Sequence, residues 1–204
     1  KSLHQSENRE EIDRAELSIN LALQGKKVVV VSSGDPGVFA MASAIFEVVD
    51  KKNISRDDLP IVVLPGITAL LAASARLGAP VGHDFCVINL SDNLKSWDIL
   101  KSRVIAAAKA DFVIAFYNPR SKSRKNQLSE IYDVLRKNCK SDRIVIYANS
   151  VSTESEAVFE TTLSEADASS VSMKTLVIIG SSSTKKIRNT GYIYTPRYSG
   201  VEKN

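Results

Sequence analysis

The first stretch that could do chemistry is a polar loop at residues 32–39, which reads SSGDPGVF. Its two glycines let the backbone approach a ligand closely and adopt positive φ angles. Asp35 precedes a predicted helix, so its carboxylate either caps that helix or accepts hydrogen bonds from a ligand's hydroxyl or amine groups. A plain capped turn is the alternative to a ligand-binding loop.

A second loop of similar design lies at residues 64–69, which read LPGITA. It follows a predicted strand and precedes a predicted helix, so Thr68 either caps the helix or presents its hydroxyl and backbone to a ligand. Pro-Gly turns are common, and a plain turn is the alternative here too. Both loops sit at carboxyl ends of predicted strands, which is where open α/β sheets bind ligands.

The third stretch, residues 116–125 (FYNPRSKSRK), is basic and follows another predicted strand. Tyr117 and Asn118 offer polar contacts, and cations such as Arg120 and Lys122 could clamp carboxylates or phosphates. Cations at a helix N-terminus oppose the helix dipole, which favours an anionic partner over a merely solvated helix start. A second basic group lies near the end of the sequence, at Lys185, Lys186, Arg188 and Arg197.

Acid–base and metal chemistry have few candidates in this sequence. His83 beside Asp84 could act as an acid–base pair, or could form an ordinary hydrogen-bonded turn. The two cysteines, Cys86 and Cys139, cannot make a four-ligand zinc site, and no HExxH spacing occurs. We therefore predict that the protein has no metal site.

The composition is that of a globular protein. The sequence has 204 residues, 44% of them apolar and 25% charged, with a net charge of +4 and a pI near 9.0. This net positive charge is smaller than that of a dedicated nucleic-acid binder, so we predict no nucleic-acid partner. No apolar run approaches the roughly 20 residues of a membrane span, and the polar start does not resemble a signal peptide. With only two cysteines, we predict a cytoplasmic protein without a membrane partner.

The elements that must position these loops alternate between helix and strand. Apolar spacing predicts helices at 8–24, 36–49, 67–77, 97–109 and 127–138, with a short helix near Glu165. Asn8 and Glu11 resemble a capping box for the first helix. Short apolar runs predict buried strands at 27–33, 61–64, 85–90, 111–116, 143–148 and 175–180. This order predicts mostly parallel α/β sheets in two domains, residues 1–82 and 83–204.

Several nucleotide-binding and hydrolase classes are disfavoured by missing motifs. The sequence has no GxGxxG, no GxxxxGK[ST] and no GxSxG. What it does have is a set of stretches that together resemble one family: SSGDPGVFAMA, LPGITALLAASARLGAPVGHDFCVINLSD, AFYNPRSKSR, TLVIIG and TPRY. They resemble the tetrapyrrole methylases of cobalamin biosynthesis, and GHDFCVINLSD and FYNPRS are similar to those that methylate C17 of precorrin-3B or cobalt-precorrin-3.

The resemblance implies two α/β domains with S-adenosylmethionine bound in a cleft between them. Residues that match the family's cofactor contacts are Ser33, Gly34, Asp35, Val38, Thr68, Ala69, Asn118 and Thr161. It further implies an anionic tetrapyrrole substrate bound by Tyr117, Arg120, Lys122 and Arg197. His83, Asp84, Ser91 and Asp92 are the candidates for proton handling.

The implied reaction is transfer of a methyl group to C17, coupled to ring contraction, with S-adenosylhomocysteine as the product. A homodimer is also implied. Methylation at C11 or C20, methylation of a protein by a distant relative, and a non-catalytic cofactor-binding form are the alternatives. The family's opening strand and GxGPG loop have no counterpart here. We therefore expect an N-terminally shortened chain whose 28–31 segment presents an unpaired edge.

Overall fold

A computed structural model describes residues 2–5, 10–121 and 123–198. The chain divides into two compact units, Lys1–Thr68 and Ala69–Asn204. This division falls earlier than the predicted boundary after Gly82, because helix Ala69–Leu77 packs on the sheet of the second unit. No helix in the described part of the chain is long and apolar enough to cross a membrane.

Helices and strands alternate along the described residues, which confirms the α/β class. The helices are α1 (Glu11–Leu23), α2 (Met41–Lys51), α3 (Ala69–Leu77), α4 (Trp97–Lys109) and α5 (Gln127–Asn138). The longer strands are β2 (Phe85–Asn89), β3 (Val113–Tyr117), β4 (Ile144–Asn149), β5 (Ala157–Thr162) and β6 (Thr175–Ile179). Three two-residue strands, β1 (Gly78–Ala79), β7 (Lys185–Lys186) and β8 (Ile193–Tyr194), form a small separate sheet.

The large sheet of the second unit has the strand order β2-β3-β6-β4-β5. Only β2 and β3 pair in parallel, whereas β6 runs antiparallel to both β3 and β4, and β5 runs antiparallel to β4. The prediction of a mostly parallel sheet is therefore wrong for this sheet. Because β6 is antiparallel to both β3 and β4, strands β2, β3 and β4 all run in the same direction. Their carboxyl ends therefore lie together at one end of the sheet, which we call its carboxyl edge.

This sheet is covered on both faces, which explains why its strands are continuously apolar. Ile114 and Phe116 face the layer formed by α4 and α5. Val113 and Ala115, their neighbours on β3, face the layer that contains α3. All four side chains are completely buried. The sequence pattern therefore predicted the burial of these strands correctly but could not show their direction.

The first unit is built on the pair of helices α1 and α2, whose buried contacts include Ala15, Ile19, Met41, Ala44 and Val48. The predicted strands at 27–33 and 61–64 are wrong, because neither segment pairs with a strand among the described residues. Val29 and Val31 are 83% and 87% exposed, and both segments line an apolar cavity of about 570 Å³. Val28 and Val30 are partly buried, and Val30 packs against the helix pair, so the segment at 28–31 alternates between exposed and partly buried side chains.

Smaller differences arise where local signals compete. The predicted helix at 36–49 begins only at Met41, because residues 36–40 form turns after the glycine loop. Residues near Glu165 form a turn instead of a helix. Strand β5 lies where the sequence predicts a polar loop; its AVFETT sequence is mixed, and most of its residues are exposed or partly buried, as is common for an outermost strand. Helix α1 begins at Glu11, and Asn8 of the predicted capping box lies outside the described residues.

Candidate functional site

Asp35 joins the two glycine-containing loops of the first unit. One carboxylate oxygen, Oδ1, accepts a hydrogen bond from the Gly37 backbone N–H at 2.8 Å within its own loop. The other, Oδ2, accepts from the Gly66 N–H at 3.0 Å in the second loop. Asp35 therefore does not cap a helix, the simpler of its two predicted roles. It fixes loop 33–38 against loop 64–68.

The two loops also touch through their backbones. A Cβ atom placed on Gly66 would lie 2.1 Å from the Gly34 carbonyl oxygen. Gly34 itself has a φ of +72° and lies beside Ile67 and Thr68. The first unit thus brings together five of the predicted cofactor contacts: Ser33, Gly34, Asp35, Val38 and Thr68.

The hydrogen bonds to Asp35 lower the pKa of its carboxyl, with Gly66 the larger cause and Gly37 the second. A group with a depressed folded-state pKa adds stability above its unfolded pKa of about 3.9, and that stability is lost as the pH falls through the folded pKa. We expect the melting-temperature difference between the wild type and Asp35→Asn to be constant above about pH 5 and to shrink below about pH 4.

Thermal melting of both proteins from pH 7 to pH 3 checks this expectation. The comparison must use the variant, because Glu156 and Asp167 also have lowered pKa values and contribute to the acid sensitivity of the wild type. A difference that persists unchanged down to pH 3 would contradict a charged Asp35 as the joint between the loops.

In the second unit, a polar cluster lies at the shared carboxyl edge of β2 and β3. Asn118 directly follows β3 and has a φ of 50°, a left-handed conformation that asparagine tolerates better than most residues. Its side-chain amide donates to the Asn89 Oδ1 atom at 3.1 Å. The same oxygen accepts from the Ser91 backbone N–H at 2.9 Å. The fold therefore places Ser91 beside Asn118.

Arg124 holds this edge together from a buried position, with only 8% of the residue exposed. Its Nη1 donates to the Leu90 carbonyl at 2.9 Å and to the Asn118 carbonyl at 3.4 Å. Its Nε lies 3.7 Å from the Asp92 Oδ1 atom, and Gln127 donates to the other Asp92 oxygen at 3.2 Å. Asp92 is therefore fixed at the same edge as Asn118 and Ser91.

Tyr117 connects this edge to the start of α3. Its hydroxyl oxygen accepts a hydrogen bond from the Leu70 backbone N–H at 2.8 Å. Ala69, the first residue of α3, is thereby held near the end of β3, where Asn118 follows. Tyr117 was predicted to contact the substrate, and the structure gives its hydroxyl an intramolecular partner.

Thr161 lies far from the other predicted cofactor contacts of the second unit. Thr161 pairs with Val145 on β4. Val145 and Ile114 both pair with Ile179 on β6, so Thr161 and Ile114 lie in the same row across the sheet. Ile114 lies about 13 Å along β3 from Asn118, and β5 is three strand spacings, about 14 Å, away from β3. The Thr161 hydroxyl donates instead to Glu165. The structure does not bring Thr161 to the edge that carries Asn118.

The four candidates for proton handling separate into two pairs. His83 and Asp84 precede β2, whereas Ser91 and Asp92 follow it, so about 16 Å of strand lies between the pairs. The Asp84 backbone N–H donates to the His83 Nδ1 atom at 2.7 Å, as in the hydrogen-bonded turn that was the simpler interpretation. Only Ser91 and Asp92 share the edge with Asn118.

The predicted basic contacts also differ in their surroundings. Arg120 donates through Nη1 to the backbone carbonyls of Ala168 and Ser169 at 2.9 and 2.6 Å. Arg197 is exposed and follows β8 of the small sheet. Lys122 lies outside the described residues. The Arg120 side chain therefore binds its own loop to the backbone of Ala168 and Ser169. A prediction based on charge alone could not show this contact.

Three side chains of the edge were missed by the sequence analysis: Asn89, Arg124 and Gln127. Asn89 ends β2, and a polar residue at the carboxyl end of a buried strand is a usable signal. Arg124 was counted only as one of several cations in the basic loop. Its burial depends on contacts with Leu90 and Asn118, which no local pattern reports.

The described residues contain no group of three or more His, Cys, Asp or Glu side chains placed to hold a metal ion. Both cysteines are free thiols, and burial raises the pKa of Cys86 to about 11. Cys86 is therefore protonated at neutral pH and packs as a small apolar side chain.

Comparisons with known proteins show the family of this chain. The sequence matches the family described as Tetrapyrrole (Corrin/Porphyrin) Methylases over residues 2–167. A precorrin-3B C(17)-methyltransferase from a Sinorhizobium species is 47% identical over 202 residues, which cover 97% of this chain and 80% of the relative.

Comparison with solved structures also finds methyltransferases. The crystal structure of the methyltransferase CobJ has a TM-score of 0.89 and 46% identity, covering 96% of this chain and 80% of that one. A uroporphyrin-III C-methyltransferase from Thermus thermophilus, solved with S-adenosylhomocysteine, shares the fold, with a TM-score of 0.59 and 18% identity over 82% of this chain and 72% of that one. The chain therefore belongs to the tetrapyrrole (corrin/porphyrin) methylase family.

Proposed function

We propose that this methyltransferase transfers a methyl group from S-adenosylmethionine to C17 of precorrin-3B or cobalt-precorrin-3, with ring contraction, in cobalamin biosynthesis. The observation that carries the choice of substrate is the 47% identity to a precorrin-3B C(17)-methyltransferase across 80% of that relative. The related methyltransferase CobJ, with a TM-score of 0.89, supports the same choice. The products are the methylated macrocycle and S-adenosylhomocysteine.

The loops of the first unit fit a cofactor of this kind. Because Gly66 has no side chain, the Gly34 backbone packs directly against it and the two loops form one continuous backbone surface. Both loops contain exposed residues, including Ser33 and Gly66. From the match to the family we assign Ser33, Gly34, Asp35, Val38, Thr68, Ala69 and Asn118 to the cofactor. S-adenosylmethionine supplies an electrophilic methyl group on a sulfonium.

The chain's own residues contribute positioning in this mechanism. Methyl transfer is an in-line displacement, and holding the reacting atoms in line can contribute about 7–11 kcal/mol. Asp35 fixes one loop against the other, and the contacts of Asn118 and Arg124 fix the second unit's edge. Because these contacts already order the loops, less conformational entropy is lost when ligands bind.

Ser91 and Asp92 are the residues we assign to proton handling. They lie beside Asn118, whereas His83 and Asp84 stand at the far end of β2. Asp92 is held by Arg124 and Gln127, so its carboxylate has a fixed direction. For the carboxylates of the macrocycle we propose contacts from Arg197 and from the part of the Arg120 guanidinium that does not bind Ala168 and Ser169.

We further propose that the enzyme acts in the cytoplasm as a homodimer. Two free cysteines are in keeping with a reducing compartment. Strands β2 and β5 are the two outermost strands of the large sheet, and the unpaired side of such a strand is commonly covered in an assembly. A monomer mass by light scattering at micromolar concentration would contradict the dimer.

Calorimetric titration with S-adenosylhomocysteine tests the cofactor site. We expect micromolar binding to the wild type and at least about tenfold weaker binding to Asp35→Ala, because the charge-assisted hydrogen bond between the loops and the one within loop 33–38 are both lost. Asp57→Ala is the matched control, since Asp57 is an exposed aspartate of the same unit outside both loops. Absence of binding to the folded wild type would contradict the proposed cofactor.

The substrate is tested in the same preparation. Incubation with precorrin-3B and methyl-labelled S-adenosylmethionine should place the label on C17 of a ring-contracted product. Label at C11 or C20 would contradict the proposed regiochemistry while leaving the methyltransferase activity intact.

A further inference from the structure

Helix α3 begins with an unusual partner for one of its backbone groups. The first four N–H groups of a helix have no partner within it, and a side chain just before the helix commonly accepts from one of them. Here the Leu70 N–H donates to the hydroxyl of Tyr117, a residue 47 positions later in the sequence. The end of strand β3 therefore fixes the first turn of α3.

The apolar contacts of α3 restrict its position along its own axis less sharply than its hydrogen bonds do. Leu70, Ala73 and Leu77 are buried against the sheet, in a cluster that also includes the half-buried Tyr117 ring. Such packing is non-directional, whereas hydrogen bonds depend on distance and angle. Among the directional contacts of α3 are the hydrogen bond to Tyr117 at its start and the Arg76–Glu156 ion pair, with N–O 3.1 Å, at its end.

The first turn of α3 carries residues that matter for the proposed function. Ala69 is its first residue and Thr68 directly precedes it, and both are assigned to the cofactor. Asn118, another assigned contact, is the chain neighbour of Tyr117. The Tyr117 hydroxyl thus connects the end of β3 to the start of α3, the two segments that carry the assigned contacts Asn118 and Ala69.

We propose that Tyr117 is a positioning residue for the cofactor site, acting through the Leu70 N–H on the start of α3. This inference rests on the proposed function, and it replaces the direct substrate contact predicted for Tyr117. Removing the hydroxyl leaves the Leu70 N–H without this acceptor and lets the first turn of the helix shift. Displacements of about 1 Å are enough to weaken a preorganised site strongly.

Tyr117→Phe tests the proposal, with Tyr132→Phe as the matched control. Tyr132 is a buried tyrosine of α5 whose hydroxyl donates to Tyr147 at 3.0 Å in the other core layer. We expect Tyr117→Phe to bind S-adenosylhomocysteine about tenfold more weakly, equivalent to about 1.4 kcal/mol. We expect the control to lower the melting temperature without changing the affinity.

Amide hydrogen exchange supplies a readout that does not depend on any ligand. Exchange of peptides covering residues 68–73 should accelerate in Tyr117→Phe and remain unchanged in Tyr132→Phe. Unchanged exchange or unchanged affinity in Tyr117→Phe would overturn the proposal, as would equal weakening of affinity in both variants. If the wild type itself does not bind S-adenosylhomocysteine, the proposed function fails, and the exchange data still report whether Tyr117 fixes α3.

Discussion

Gly66→Ala should abolish measurable S-adenosylhomocysteine binding and destabilise the first unit by about 3 kcal/mol. The added Cβ would lie 2.1 Å from the Gly34 carbonyl oxygen and 3.0 Å from its carbonyl carbon. Both atoms belong to the backbone, so no side chain can rotate away. The two loops must separate, which also lengthens the hydrogen bond from the Gly66 N–H to Asp35.

Gly37→Ala is the control for this substitution. It lies in the facing loop, and the nearest atom to its added Cβ is the Asp35 Oδ1 atom at 3.2 Å, which belongs to a side chain and can shift slightly. We expect it to lower the affinity less than Gly66→Ala does. Titration calorimetry and thermal melting of the two variants make the comparison. Equal behaviour would show that the close approach of the two loops is unimportant for binding.

Arg124→Ala should destabilise the second unit by about 3 kcal/mol, because removing a buried, hydrogen-bonded charge takes the guanidinium donor away from each of its partners. The partners are the carbonyls of Leu90 and Asn118 and the carboxylate of Asp92. For a unit of this size the loss corresponds to a fall in melting temperature of about 10 °C. Thermal melting followed by circular dichroism measures it.

Lys125→Ala provides the comparison for Arg124→Ala. Lys125 is the next residue in the same basic loop and is exposed, so its removal should change the melting temperature by less than about 2 °C. Arg124→Lys should fall between the two, because an ammonium cannot reach both carbonyls in the way a guanidinium does. A melting temperature for Arg124→Ala within error of that for Lys125→Ala would exclude the structural role of Arg124.

The sequence was sufficient to identify most of the helices, the strands of the second unit except β5, and the family to which the chain belongs. Helices α4 and α5 have the predicted bounds, since their apolar spacing and flanking breakers are local signals. The sequence also indicated the loops around Asp35, Thr68 and Asn118, because runs of glycine, proline and polar residues after apolar segments are local signals, although only the segment before Asn118 is a strand. These features depend on residues within a few positions of one another.

The tertiary structure alone decided which of these residues meet. The antiparallel course of β6 and the exposure of Val29 and Val31 depend on which segments lie alongside each one, and the composition of a segment does not reveal its neighbours. The same holds for the contacts of Tyr117 with Leu70 and of Arg124 with Leu90, which join residues 47 and 34 positions apart. A hydrogen bond requires atoms to be about 3 Å apart, and only the packed sheet and its helices bring such distant residues to that separation.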